Sequence, residues 1–350
     1  MKNPSPVNAL SGKKDRDSNM ELFRCFAMFL VLIVHADFFS LGTPETYEID
    51  SAPLATFTRL LFQALSIGCV DMFVLLSGWY GIRPKAKSFC GFIFQCAFFL
   101  FGIYTICLIF HLSDLNMHGI KGCLLLLKWN WFVRAYILLY ILSPMVNAYV
   151  DTSSERQHRM MLIYFFLFQT IFSWMFNASI FFERGYSTIS FIGLYLLARY
   201  FAKYKPSISV LDKKVYFMVY IISSLLIALL FFISKKYGIN TLGTKLFYYN
   251  NPLVVISAFS LLLFFSKLKI RSKMVNWLGA SSFAIFLLHT NPNLCKQYFI
   301  PTVRFIYTSH DGILCLLNIL VFLLFLSIIA ILFDQLRIVL WKKVAPIFRV

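Results

Sequence analysis

The chain is poor in charged residues, and acidic residues are the scarcest of these. Of its 350 residues, 14% are charged and 59% are hydrophobic. Soluble domains carry about 25% charged residues, so this composition excludes a soluble globular protein and indicates a polytopic membrane protein. The 33 basic and 15 acidic residues give a net charge of +18. In a membrane protein such an excess records orientation rather than nucleic-acid binding, and we expect no nucleic-acid partner.

Several motifs of defined chemistry are also absent from the sequence. The eight cysteines lie in or beside apolar segments, and none forms a CxxC pair or another metal-ligand pattern. We therefore expect small apolar thiols and no metal. The sequence has no glycine-rich nucleotide loop, internal repeat or low-complexity tract. No cleavage site of small residues follows the first apolar run, so we interpret that run as an uncleaved span rather than a signal peptide.

Long apolar runs are plentiful. About 20 apolar residues cross a bilayer, and ten segments qualify, at 20–40, 57–80, 88–111, 131–150, 159–177, 186–204, 214–234, 250–267, 274–294 and 312–338. Ten spans with a cytoplasmic N-terminus place more than twice as many Lys and Arg residues inside as outside, as the positive-inside rule requires. The predicted fold class is therefore all-α, with ten transmembrane helices and both termini cytoplasmic.

Three regions follow from this pattern. They are a loose tail over 1–19, a transmembrane domain over 20–340 and a basic tail over 341–350. A short re-entrant or interfacial piece is expected at Gly119–Lys128, and Asn177 begins a short, weak glycosylation sequon.

The first span carries two polar residues that are costly in a membrane. Arg24 and His35 lie eleven residues apart, on nearly one helix face and separated by roughly 16 Å along the axis. Charged and titratable groups inside a span indicate a functional site. The alternative is that Arg24 extends to the lipid headgroups and that His35 is a hydrogen-bonded core residue.

Asp71 and His289 are two further polar residues within predicted spans. Asp71 needs a partner at its depth, and Arg24 and His35 both qualify; a purely structural ion pair is the alternative. His289 lies at a depth close to that of His35, which suggests one polar cavity. The alternative for His289 is a helix end that meets water, since Asn291 precedes a proline.

Small and basic residues follow Asp71 along the chain. Ser77 and Gly78 form either a small-residue packing contact or a place where a ligand approaches the backbone. Arg83, Lys85 and Lys87 come next, and ordinary positive-inside charge accounts for them without a ligand.

Four motifs in this order resemble the bacterial membrane acyltransferase-3 family. They are Arg24-x10-His35, the stretch Val70–Gly78, Trp131-Phe132 followed by Leu138–Pro144, and Phe283–His289. The resemblance covers essentially residues 20–338, including the count of ten helices. Two positions depart from the family pattern: Trp79 stands where Phe is usual, and Tyr136 lies in a stretch that is usually more apolar.

The resemblance implies a multi-pass enzyme of the bacterial cytoplasmic membrane that transfers an acyl group, usually acetyl. The donor is cytoplasmic acyl-CoA, and the acceptor is a hydroxyl of an envelope polysaccharide or a lipid-linked sugar. His35 is then the essential catalytic residue, with Asp71 and His289 as further catalytic candidates. Arg24 handles the donor, and Ser77, Gly78, Arg83 and Lys85 are candidates for binding it. The expected partners are membrane lipids and the glycan acceptor.

A glycan flippase, polymerase or transporter is the alternative, because such a protein is also polytopic and also buries His, Asp and Arg. Transporters usually contain broken helices in paired halves, and no such symmetry is visible in the sequence. Acyl-CoA-dependent acetylation in membranes that hold the protein separates the two classes.

Overall fold

The computed structural model describes residues 16–115, 117–124, 130–176, 181–239 and 243–348. These residues form helices and contain no strand. The helices are α1 Ser18–Val34, α2 Thr46–Ser51, α3 Pro53–Ser66, α4 Cys69–Tyr80, α5 Ala86–Ile109, α6 Met117–Leu124, α7 Trp131–Thr152, α8 Glu155–Phe168, α9 Thr188–Tyr204, α10 Lys213–Lys236, α11 Pro252–Ser266, α12 Lys273–His289, α13 Ile300–Ser309 and α14 Gly312–Val344.

Shorter turns extend or connect these helices. The π-helical turns His35–Phe39 and Gln169–Met175 continue α1 and α8. A single turn, Pro292–Leu294, and a third π-helical turn, Cys295–Phe299, lie between α12 and α13. Short 3₁₀ turns occur at Glu183–Gly185, Ser207–Val210, Thr244–Phe247 and Ala345–Phe348.

Within the described residues, seven helical segments are long and apolar enough to cross a membrane. They are Ser18–Phe39, Pro53–Tyr80, Ala86–Ile109, Trp131–Thr152, Lys213–Lys236, Thr244–Ser266 and Gly312–Val344. Each overlaps one predicted span. The other three predicted spans are also helical, in α8, α9 and α12, but α9 and α12 have 17 residues each. The all-helical membrane class is confirmed, whereas ten spans and cytoplasmic termini stay predictions.

The predicted end regions are described only in part. Residues 1–15 and 349–350 of the two tails, and the sequon at Asn177, lie outside the described residues. Helix α14 extends to Val344, so the tail predicted to start at residue 341 begins within a helix. Helix α6 overlaps the piece predicted at Gly119–Lys128.

Helix α1 contacts four other helices of the bundle. It packs against α12, α4, α3 and α11, so its apolar side chains meet protein on several sides. Phe23 and Leu32 are fully buried. The helix then widens into a π-helical turn that begins at His35, and the Ser40 hydroxyl donates to the His35 carbonyl at 2.6 Å. Single π turns inside α-helices often lie at functional sites.

Within the predicted second span, a turn of two residues separates two helices. Helix α3 ends at Ser66 and α4 begins at Cys69, with Ile67 and Gly68 between them. A Cβ on Gly68 would lie 3.2 Å from the Cβ of Ala258 on α11, so the break is closely packed. The segment Pro53–Tyr80 is nevertheless long and apolar enough to count as one membrane span.

Candidate active site

A cavity of about 470 Å³ lies beside His35, and we call it the His35 cavity. Its wall contains ten aromatic rings: Phe38, Phe39, Phe73, Trp131, Phe132, Tyr186, Phe247, Tyr249, Phe283 and Phe286. Polar groups are few, and include His35, Gln63, Asn130 and Thr290. None of its lining residues is Asp, Glu, Lys or Arg. This cavity therefore suits a neutral ligand with an apolar face and hydrogen-bonding groups.

A second cavity of about 420 Å³ lies beside Arg24, and we call it the Arg24 cavity. Arg24 and Arg83 both line it, together with Ser77, Gln95 and Tyr136 among others, and no acidic residue does. Two guanidinium groups facing one space favour an anionic ligand, because their hydrogen bonds to phosphate or carboxylate are charge-assisted.

Three phenylalanines belong to the walls of both cavities. Phe73 comes from α4, Phe132 from α7 and Phe283 from α12. The ring centroids of Phe73 and Phe132 are 6.3 Å apart, and those of Phe132 and Phe283 are 6.5 Å apart. The two cavities therefore meet at an aromatic partition, formed by Phe73, Phe132 and Phe283, with Arg24 on one side and His35 on the other.

The two histidines predicted to share a depth are in direct contact. His35 Nδ1 lies 2.7 Å from His289 Nε2, and the other nitrogen of His289, Nδ1, lies 2.6 Å from the carbonyl oxygen of Ile285. His35 is half-buried and lines the cavity, whereas His289 is only 1% exposed and lies behind it. Of the two, His35 is the residue placed to reach a substrate.

Asp71 does not make the pairing that was predicted for it. It is completely buried, it lines neither cavity, and neither of its carboxylate oxygens has a hydrogen-bond partner in the described part of the chain. The predicted pairing with Arg24 or His35 is therefore wrong. The prediction rested on depth within the membrane, and depth alone does not bring side chains on α1 and α4 into contact. Its catalytic role stays a prediction.

Arg24 is held by an acidic neighbour one turn away. Its Nη1 lies 3.0 Å from Glu21 Oε2, and the Arg24 side chain is one-third exposed. Arg16 also approaches Glu21, at 3.6 Å. An anion that enters the Arg24 cavity thus meets a guanidinium that is already oriented but partly neutralised.

The two small residues near the end of α4 differ: Ser77 lines a cavity, whereas Gly78 packs against another helix. The Ser77 hydroxyl lines the Arg24 cavity, donates to the Phe73 carbonyl at 2.9 Å and lies 3.1 Å from the Tyr136 hydroxyl. Gly78 lines neither cavity; a Cβ there would lie 2.5 Å from the carbonyl oxygen of Tyr195 on α9. The geometry of Gly78 is thus that of a helix-packing contact, the alternative to ligand binding.

The two basic residues after α4 also differ. Arg83 is exposed and lines the Arg24 cavity. Lys85 is exposed but does not line that cavity, and its backbone is bound by Tyr140, whose hydroxyl accepts from the Lys85 amide at 2.9 Å and donates to the Lys85 carbonyl at 3.1 Å.

Sequence reasoning missed several residues at the site. Tyr136 was noted only as a departure from the family pattern, yet it contacts Ser77 at the cavity wall. Gln63 is a carboxamide within a predicted span, the same signal that singled out Asp71; it lines the His35 cavity, and its Oε1 has no partner among the described residues. No sequence signal distinguishes the three partition phenylalanines from the other 37 of the chain's 40.

The acyltransferase domain of the acyltransferase-3 family matches residues 17–333. The chain belongs to the acyltransferase-3 family. The match runs from the residue before α1 into α14, so both cavities lie within the family domain. No curated protein and no solved structure shows a significant match to the chain. In the described residues, no group of three or more His, Cys, Asp or Glu side chains is arranged to hold a metal ion.

Proposed function

We propose that the protein is a membrane O-acyltransferase that moves an acyl group, acetyl in the simplest case, from acyl-CoA to a hydroxyl of an envelope polysaccharide or a lipid-linked sugar. One observation carries this proposal. Arg24 and His35 lie on the same helix and line two different cavities, and these cavities share the Phe73–Phe132–Phe283 partition.

The Arg24 cavity is the donor site. Acyl-CoA carries phosphates at its nucleotide end and a neutral thioester at the end of a thin pantetheine arm. Arg24 and Arg83 supply charge-assisted hydrogen bonds for the phosphates, on the side of the molecule where Lys and Arg residues concentrate. The arm extends along α1 towards the partition, which brings the thioester to the boundary between the cavities.

The His35 cavity is the acceptor site. A sugar ring presents C–H faces that pack on aromatic rings and hydroxyls that need hydrogen-bond partners. The cavity offers both, since ten aromatic residues line it and its polar lining residues include Gln63, Asn130 and Thr290. Because no charged side chain lines this cavity, the part of the acceptor that enters it is neutral.

His35 is the general base in the transfer. Neutral imidazole is abundant near physiological pH, and the ring accepts the proton of the acceptor hydroxyl as the hydroxyl oxygen attacks the thioester carbon. The tetrahedral intermediate then collapses, the C–S bond breaks, and the departing sulfur takes the proton from the His35 imidazolium. The products are an O-acyl ester and free CoA, with no net change in the enzyme.

Labelled acetyl-CoA tests this function directly. The purified protein in liposomes, supplied with the envelope glycan fraction of its host, is expected to transfer label to glycan, with His35→Ala as the inactive control. Mass spectrometry and NMR of glycan from cells with and without the gene identify the modified sugar. If the glycan crosses the vesicle membrane without acquiring label, the protein is a transporter and the proposal is wrong.

A further inference from the structure

We propose that His289 is a positioning residue for His35: it holds the imidazole in the tautomer whose Nε2 lone pair faces the substrate. This inference rests on the proposed role of His35 as the general base. It assigns His289 to orienting that base, without contact with either substrate.

The Ile285 carbonyl fixes the donor and acceptor of the hydrogen bond between the two histidines. The Ile285 carbonyl oxygen can only accept, so His289 Nδ1, at 2.6 Å, is the donor. A neutral imidazole carries one N–H, so His289 Nε2 is left as an acceptor. At 2.7 Å from it, His35 Nδ1 must then donate. His35 therefore has no hydrogen on Nε2, and that nitrogen keeps the lone pair that a general base needs.

The surroundings fit an orienting role. His289 lines neither cavity and is 1% exposed, so it has no path to a substrate. His35 lines its cavity, and its Nε2 has no hydrogen-bond partner within the described residues. The His35 backbone is also fixed, because it begins the π-helical turn and its carbonyl accepts from Ser40.

His289 corresponds to the aspartate of a Ser-His-Asp triad, except that it is neutral. In Ser-His-Asp enzymes an aspartate holds the histidine tautomer, and loss of the correct tautomer costs about 10⁴-fold in kcat. His289 supplies the same acceptor without a charge, so it selects the tautomer and orientation but stabilises the imidazolium less. We expect its loss to cost about 10²-fold, the lower end of the range for general-base catalysis.

Three substitutions separate orientation from structure. The Gln side chain in His289→Gln is long enough to place an oxygen near the position of Nε2, where it accepts from His35. The shorter Asn in His289→Asn reaches only the Ile285 side, and His289→Leu provides no acceptor. In the glycan acetylation assay, kcat should stay within about 10-fold for Gln, because one neutral hydrogen bond is retained. It should fall about 10²-fold for Asn and Leu.

The KM for acetyl-CoA should be unchanged in all three variants, because His289 lines neither cavity. A purely structural role predicts instead that Gln, Asn and Leu lose activity in parallel with thermal stability. Equal kcat for Gln, Asn and Leu at equal melting temperature would overturn the proposal.

The tautomer of His35 can also be measured directly in the wild-type protein. Solid-state ¹⁵N NMR of histidine-labelled protein, with the His35 signals assigned by their loss in His35→Ala, is expected to show the proton on Nδ1. A proton on Nε2 would overturn the assignment. If His35→Ala keeps full activity, the proposed base is wrong. If His35→Ala is inactive while His289→Leu keeps wild-type kcat, only the role of His289 is wrong.

Discussion

The two cavities have similar volumes and share three phenylalanines, but they differ in charge. Two arginines line the Arg24 cavity, whereas no charged side chain lines the His35 cavity. A charge inside a membrane protein is costly, and guanidinium groups are placed where an anion compensates them. On the proposed function, this difference separates the binding of an anionic donor from proton transfer at a neutral site, with roughly 16 Å between Arg24 and His35 along one helix.

The largest expected effect concerns membrane topology. The proposed separation of donor and acceptor sites would be wrong if both cavities opened to the same side of the membrane. Asp50 and Lys85 are exposed and lie at opposite ends of the segment Pro53–Tyr80. In a background without native cysteines, an impermeant maleimide added to intact cells should label Asp50→Cys, and should label Lys85→Cys only after permeabilisation. Labelling of both from outside contradicts the predicted topology.

The next largest effect concerns the His35 cavity. His35→Ala removes the proposed base, so acyl transfer should fall about 10²–10⁴-fold, while the affinity for acyl-CoA stays unchanged. Steady-state transfer and equilibrium binding in one membrane preparation measure both. His310→Ala is a matched control, because His310 lies at the end of α13 and lines neither cavity. Wild-type turnover by His35→Ala would remove the proposed mechanism.

Arg24→Ala should weaken the binding of acyl-CoA and leave the rate of transfer nearly unchanged. Hydrogen bonds to charged groups contribute about 1.5–3 kcal/mol, which corresponds to roughly 10- to 100-fold in donor affinity, and kcat at saturating donor should change little. Arg134→Ala is the control, since Arg134 is exposed and lines neither cavity. Glu21→Gln sharpens the test, because it removes the carboxylate that pairs with Arg24 and should tighten donor binding a few-fold. Normal donor affinity in Arg24→Ala contradicts the assignment.

The smallest effect is expected at Gln63. Gln63→Met keeps the size of the side chain but removes the carboxamide of a residue that lines the His35 cavity. One neutral hydrogen bond contributes about 0.5–1.5 kcal/mol, so the KM for the glycan should rise roughly 2- to 10-fold. Gln169→Met is matched, because Gln169 is also buried with an unpaired Oε1 but lies outside both cavities. An equal effect in both variants would indicate lost packing rather than lost recognition.

The sequence was sufficient where one continuous helix decides the geometry. Arg24 and His35 were predicted on one face of the first span, and the structure has each of them lining a cavity. The similar depths of His35 and His289 were also predictable from span positions. Their contact was not, because lateral proximity depends on the packing of α1 against α12.

The sequence was insufficient where the lateral packing of helices decides a contact or where many similar residues compete. The pairing predicted for Asp71 rested on depth alone, and similar depths on α1 and α4 do not bring two side chains into contact. The partition could not be predicted, because aromatic residues are abundant throughout the chain and only tertiary packing selects three of them. Gly78 shows the same limit, since its contact with Tyr195 comes from a helix more than a hundred residues later.

Photo-cross-linking with two acyl-CoA analogues tests the separation of the cavities most directly. One analogue carries its photoreactive group on the adenine and the other at the end of the acyl chain, and mass spectrometry identifies the labelled peptides. We predict that the adenine probe labels the peptide containing Arg83, and that the acyl probe labels peptides containing Phe73, Phe132 or Phe283. Labelling of Trp131 or Tyr249, which line only the His35 cavity, by the adenine probe would contradict the assignment of donor and acceptor sites.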